Sequence, residues 1–172
     1  MTLFGLTIRD RDMPLWAGLA SAAALGIALA SQYWGGLAPC KLCLWQRVPH
    51  GAVIVIGLGA LLWFRGPRER AFLGWLAALA FAVGGGIAGY HAGVEQGWFP
   101  GPTSCTGSSA LDAAKTIDDL RRQLLAEPVV RCDEIPWSLF GLSIAAWNAL
   151  FCIAMAAVTG LAAWRAMGEK GA

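Results

Sequence analysis

The chain has 172 residues, 57% of them hydrophobic and 14% charged, with a formal net charge of +2. Soluble domains carry about 25% charged residues, so this composition cannot furnish the surface of a water-soluble globule, and an integral membrane protein is the class that remains. The small charge is scattered along the chain, which leaves no electrostatic footprint for a nucleic-acid partner.

Four apolar runs, at residues 15–34, 48–64, 71–91 and 142–164, are candidate membrane spans. At about 1.5 Å per helical residue each approaches the roughly 30 Å of a hydrocarbon core. The second is short, and tilt or local thinning accommodates it. Trp16, Trp34, Trp63, Trp75, Tyr90, Trp137 and Trp164 fall near the span ends, where rings with an apolar body and a polar tip prefer the interface. Ala28-Leu29-Ala30 before Ser31 resembles a cleavage site. The apolar stretch is longer than a usual signal-peptide core, however, and is read as a retained span. The predicted fold is an all-α, polytopic four-helix membrane bundle forming a single domain over 1–172.

An even number of spans puts both termini on one side and the loops 35–47 and 92–141 on the other. Arg65, Arg68 and Arg70 crowd the short loop between the second and third spans. By the positive-inside rule this places the termini in the cytoplasm and the two longer loops outside. The last loop opens on the breaker-rich stretch 97–102. It continues with a predicted short amphipathic helix in which Leu111, Ala114, Ile117, Leu120 and Leu124 recur near helical spacing before Pro128. With its charges on the other face, this helix suits either the membrane surface or a small soluble cap.

Five cysteines carry the chemistry. Cys40 and Cys43 form Cys-x-x-Cys just before the second span, Cys105 and Cys132 bracket the amphipathic segment, and Cys152 is deep in the fourth span. The parity of the spans puts the first four on the outer side, which in a bacterium is oxidising, and there paired cysteines read as disulfides before metal ligands. A Cys-x-x-Cys ring is too small to gain much as a staple, and its usual use is thiol exchange. Cys105 and Cys132 would close a ring of nearly thirty residues, for which a structural staple of a few kcal/mol is an equally good use.

Arg47 stands four residues after Cys43. If the second helix includes both, its guanidinium and the helix dipole favour a thiolate at Cys43. His91 closes the third span and can donate a hydrogen bond to a carbonyl oxygen of an electron-accepting ring. Gly84, Gly85, Gly86, Gly89 and Gly93 let helices approach closely or clear room for a flat ligand. Cys152 reads as a packing residue, and Asn148 and Ser143 are expected to hydrogen-bond between helices.

Four spans, the stretch Cys-Lys-Leu-Cys-Leu-Trp-Gln-Arg entering the second, a histidine closing the third and a spaced cysteine pair in the last outer loop resemble the DsbB family. The resemblance covers about residues 14 to 165. It implies an inner-membrane thiol:quinone oxidoreductase that reoxidises a periplasmic thioredoxin-fold oxidase of the DsbA type, the system that keeps the bacterial periplasm oxidising. Its partners would be that oxidase, membrane lipid and the quinone pool, with ubiquinone or menaquinone as cofactor and no structural metal. Carried over by position, Cys105 meets the reduced oxidase, Cys132 passes the exchange to Cys40, and Cys43 gives electrons to the quinone beside Arg47 and His91.

The chain departs from the family pattern at Gln46, where an acidic residue is common, at Trp45, which replaces a tyrosine, and at Pro49 early in the second helix. A vitamin K epoxide reductase-like enzyme resembles it less, because there the Cys-x-x-Cys comes after the loop pair. A four-thiolate metal site at Cys40, Cys43, Cys105 and Cys132 needs reduced thiols in an oxidising compartment. A scaffold protein with two staples is the remaining alternative.

Overall fold

The computed structural model describes residues 2–3, 6–7, 9–64, 66–102, 116–118, 121 and 130–168. Four long helices, α1 (Met13–Tyr33), α2 (Lys41–Leu62), α3 (Pro67–Glu95) and α4 (Ile144–Gly168), overlap the four apolar runs. Each is long and apolar enough to cross a membrane. Leu19, Ile27, Val55, Phe72, Leu79 and Leu161 point outward and are each more than half exposed. Side chains of that size, distributed over all four helices, make a surface suited to lipid rather than water. Trp34, Trp63 and Trp164 lie exposed at or near helix ends, in the positions of an interfacial aromatic belt. The fold is a four-helix membrane bundle.

Packing runs α1 on α2, α2 on α3 and, most extensively, α3 on α4. Helices α2 and α4 scarcely approach through their backbones, so their long side chains meet across the interior. Small residues set the crossings. A Cβ placed on Gly57 would lie 2.9 Å from the Gly18 Cα and 3.0 Å from the Pro14 carbonyl oxygen, and one on Gly74 would lie 3.0 Å from the Ala163 Cβ. Of the glycines singled out above, Gly84 faces Pro49 and Cys152, and Gly85 faces Cys152 and Ile153. Gly86 and Gly89 meet nothing within 4 Å.

Gly57→Leu therefore has nowhere to put its side chain and is expected to destabilise the bundle by about 1–3 kcal/mol, the usual cost of overpacking. Gly26→Ala, in open space, serves as the control. Thermal unfolding in detergent checks this, and an unchanged midpoint for Gly57→Leu would contradict the close crossing.

Two of the extensions beyond the apolar runs bring polar residues into helix at the site. Helix α2 starts at Lys41 rather than at residue 48 and continues through Pro49. Its polar head stays helical because its side chains find partners: Arg47 Nη1 donates to Gln32 Oε1 at 2.7 Å, and Gln46 is hydrogen-bonded in the interior. Helix α3 passes His91 and runs to Glu95. There Gly97 takes φ 71°, and the Trp98 N–H bonds to the Gly93 carbonyl at 2.8 Å, which closes the helix. At the opposite end of α3, Arg70 pairs with Asp12 ahead of α1.

Strands β1 (Thr2–Leu3) and β2 (Leu6–Thr7) pair near the N-terminus. A hairpin not foreseen in the sequence precedes α4: β3 (Ser138–Leu139) pairs with β4 (Leu142–Ser143). Its two turn residues, Phe140 and Gly141, have φ 53° and 79°, the pair of positive angles that matches strand twist in a tight hairpin. Trp147 Nε1 donates to the Leu139 carbonyl at 3.1 Å and fastens the hairpin to α4. Of the predicted amphipathic helix, Ile117, Asp118 and Arg121 are helical. Leu111, Ala114, Leu120 and Leu124 lie outside the described residues.

Candidate functional site

Cys40 is the N-cap of α2, with extended backbone at φ −73° and ψ 173°. Its sulfur occupies the place of a capping oxygen and accepts the Cys43 backbone N–H at 3.3 Å. The two sulfurs are hydrogen-bonded at 3.2 Å, and once Cys40 is ionised it can only accept, which makes the Cys43 thiol the donor. A disulfide would hold the sulfurs about 2.0 Å apart, so the pair is present as free, hydrogen-bonded cysteines. His91, from the last turns of α3, brings Nε2 to 3.5 Å from Cys40 Sγ.

Three donors thus converge on one sulfur at the positive end of a helix. The Cys43 thiol above all, then His91 and the Cys43 backbone, outweigh burial and pull the Cys40 thiol from 9.0 down to about 4. The reduced pair carries its charge on Cys40. The sequence reading placed the thiolate at Cys43 under the influence of Arg47. In the structure the Arg47 guanidinium bonds Gln32 at the end of α1, and the depressed Cys40 thiol makes Cys43 the donor of the pair. The capping geometry makes the first cysteine of the motif the acceptor of the Cys43 backbone N–H.

Two residues join the site that the sequence reading did not assign to it. Gln46 Nε2 lies 2.7 Å from His91 Nδ1. An amide NH₂ can only donate, so His91 accepts on Nδ1 and carries its proton on Nε2, toward Cys40. Glu95, 3% exposed, stands one turn beyond His91 with Oε1 at 3.9 Å from His91 Nε2. Its other oxygen accepts from the Ser143 hydroxyl at the head of α4. The i,i+4 spacing of His91 and Glu95 was the available signal, had α3 been extended past His91.

Cys132 is disulfide-bonded and fully buried. It shares one cluster with Cys40, Leu42 and Val94, against which Cys43 also packs. Cys105 lies outside the described residues. Beside the cluster is a cavity of about 200 Å³ lined by Cys40, Cys43, His91, Glu95, Ile135 and Ile144 among others. Its space and mixed apolar and polar walls fit a single aromatic or quinonoid ring, with two sulfurs and an imidazole N–H on its wall. The four-thiolate metal site does not form, because the Cys132 sulfur is already in a disulfide. Cys152 is buried in the core with Ala17, Val53, Ala77 and Phe81, 3.6 Å from Asn148 Oδ1.

A hydrogen-bonded cysteine pair capping a membrane-spanning helix, packed against a third, disulfide-bonded cysteine, defines a membrane thiol–disulfide oxidoreductase. Comparison with known proteins gives the particular family. The model of the family "Disulfide bond formation protein DsbB" matches residues 10–162. A "Disulfide bond formation protein B" of Stutzerimonas stutzeri is 31% identical over 86% of this chain and 91% of its own. One from Chromohalobacter salexigens is 33% identical over 86% of each chain, and "Disulfide bond formation protein B 2" of Pseudomonas syringae is 36% identical over 90% and 85%. The chain belongs to the DsbB family of disulfide-forming membrane proteins. No solved structure matches it.

Proposed function

We propose that the protein reoxidises a periplasmic thioredoxin-fold oxidase of the DsbA type and delivers the electrons to a membrane quinone through two cysteine pairs. The observation that carries this reading is the packing of Cys132, in its disulfide, against the free Cys40 and Cys43. Two redox pairs in contact form a relay, whereas two isolated staples would have no reason to touch.

In the proposed sequence Cys105 and Cys132 form the outer disulfide. The reduced oxidase attacks Cys105, and Cys132 leaves as a thiolate. A second oxidase thiol then releases the oxidised oxidase, so two electrons and two protons have entered the outer pair. Cys132 next attacks Cys40 of the inner disulfide. The Cys132–Cys40 bond forms, the Cys40–Cys43 bond breaks, and Cys43 becomes the leaving thiolate. Once Cys105 has closed back on Cys132, the inner pair is the dithiol seen here. A quinone bound in the cavity would supply the two-electron, two-proton sink. A DsbA-type couple near about −120 mV requires an acceptor of higher potential.

Cys40, Cys43 and His91 on the cavity wall would hold the ring, with Cys43 as electron donor, Cys40 carrying the negative charge and His91 keeping its Nε2–H on Cys40. Arg47, tied to Gln32, would join the residues that hold the ring. The membrane is the bacterial inner membrane with both termini cytoplasmic, supported by Arg68 and Arg70 at the head of α3. The cysteine cluster then opens to the periplasm.

Trapping tests the reading. With Cys132→Ser the Cys105 thiol is left free; given the oxidised form of a purified DsbA-type oxidase it attacks the oxidase's disulfide, one oxidase thiolate leaves, and a covalent adduct through Cys105 should accumulate on non-reducing gels. No adduct, with the oxidase still reoxidised, would refute the relay.

A further inference from the structure

The interior between α2 and α4 holds polar side chains that the relay leaves without a role. Ser21 on α1 and His50 on α2 are buried, and Asn148 on α4 faces them. The Ser21 hydroxyl is 3.3 Å from His50 Nδ1, and His50 Nε2 is 3.0 Å from Asn148 Oδ1. Asn148 Nδ2 donates to Gln46 Oε1 at 2.7 Å. With Gln46 to His91 and His91 to Cys40, a continuous file of hydrogen bonds crosses all four helices and ends on the redox sulfur.

The file has a direction. Asn148 Oδ1 has no proton to give, so His50 must donate from Nε2 and accept the Ser21 hydroxyl on Nδ1. Asn148 then donates to Gln46, Gln46 to His91, and His91 to Cys40. Reversing any one member requires reversing them all, because each amide has one oxygen and one NH₂ to share between two neighbours. The Cys152 thiol holds the file in this sense by donating to Asn148 Oδ1 at 3.6 Å. No buried polar side-chain atom among the described residues is left unpartnered.

We infer that His50 and Asn148 are positioning residues for the Cys40 thiolate: by orienting the Gln46 amide they keep the His91 proton on Nε2, aimed at Cys40 Sγ. If Gln46 turned its oxygen to His91, Nδ1 would take the proton and a bare Nε2 would face the sulfur. The thiolate would then lose one of its three donors. The inference builds on the proposed redox role of Cys40, but its readout is the reduced pair alone with no acceptor added, so a failure of the quinone assignment leaves its outcome untouched.

The test is the pH profile of Cys40 alkylation by iodoacetamide in the reduced, detergent-solubilised full chain, with the site located by mass spectrometry. The titratable and charged groups around Cys40 are Cys43 on α2, His91 and Glu95 on α3, and Arg131 and Glu134 ahead of α4; none is altered in the variants. His50→Phe keeps a ring between Phe81 and Phe151, which His50 contacts at 6.1 and 5.9 Å, and removes the donor. Asn148→Leu breaks the next link. Both are expected to raise the alkylation midpoint by about one pH unit, a tenfold slower reaction on the acid limb.

His50→Gln, which again offers an NH₂ to Asn148 and an oxygen to Ser21, should restore the profile. Profiles of His50→Phe and Asn148→Leu that superimpose on the parent would overturn the inference and leave the file as interhelical glue. If neither variant folds, the ¹⁵N shifts of His91 in the parent protein decide. The Nε2–H tautomer upholds the inference, and the Nδ1–H tautomer overturns it.

Discussion

Cys43→Ser is expected to bring quinone reduction down to background, a loss of several orders of magnitude like that seen when a reacting nucleophile is removed. Serine at this position still donates its hydrogen bond to Cys40, so the helix cap and the bundle remain. What disappears is the second sulfur, without which the inner pair can neither hold a disulfide nor release two electrons. The outer pair stays competent, and a mixed disulfide between Cys105 and the oxidase should still form. The check is single-turnover reduction of a soluble quinone analogue, with adduct formation followed in the same sample. Undiminished quinone turnover in Cys43→Ser would remove Cys43 from the electron path.

The second large effect is on how the inner couple responds to pH. Between about 4 and 9.0 the reduced pair holds Cys40 as thiolate, so reduction of its disulfide takes up two electrons but only one proton. One proton is worth about 1.36 kcal/mol per pH unit, which for a two-electron couple is about 30 mV. The midpoint potential of Cys40–Cys43 should therefore fall by about 30 mV per pH unit across neutrality and by about twice that below pH 4.

The sign follows from the depressed thiol. Ionisation stabilises the reduced form increasingly as pH rises through this window, and that stabilisation is lost as pH falls toward 4. A stabilised reduced form means a more oxidising disulfide, the direction needed to accept electrons from a strongly oxidising partner. A slope near 60 mV at neutral pH, measured by equilibration with redox buffers, would show both thiols protonated and contradict the geometry at Cys40.

Span existence was legible because lipid imposes the same requirement on every outward side chain, and Leu19, Val55, Leu79 and Leu161 meet it openly. The head of α2 was not, because Lys41, Gln46 and Arg47 look like loop residues until their partners are known. Arg47 is satisfied by Gln32, and Gln46 by His91 and Asn148. These are contacts between helices, on which hydropathy is silent. The same blindness displaced the thiolate. Spacing shows that Cys43 and Arg47 share a helical face, but only the cap reveals which sulfur the backbone N–H points at. Gln46 was noticed solely as a departure, although it holds the imidazole in its tautomer. The Phe140-Gly141 turn was missed because phenylalanine is rare at positive φ.

In Cys40 the atom that changes oxidation state is also the atom that finishes a helix. A sulfur bound in a disulfide is a poorer acceptor than a thiolate, so oxidation weakens the bond to the Cys43 N–H and loosens the first turn of α2. Coupling of this kind runs both ways. Anything that tightens that turn will favour the reduced couple, and anything that frays it will favour the disulfide. The membrane helix is thereby a mechanical reporter of its own electron count.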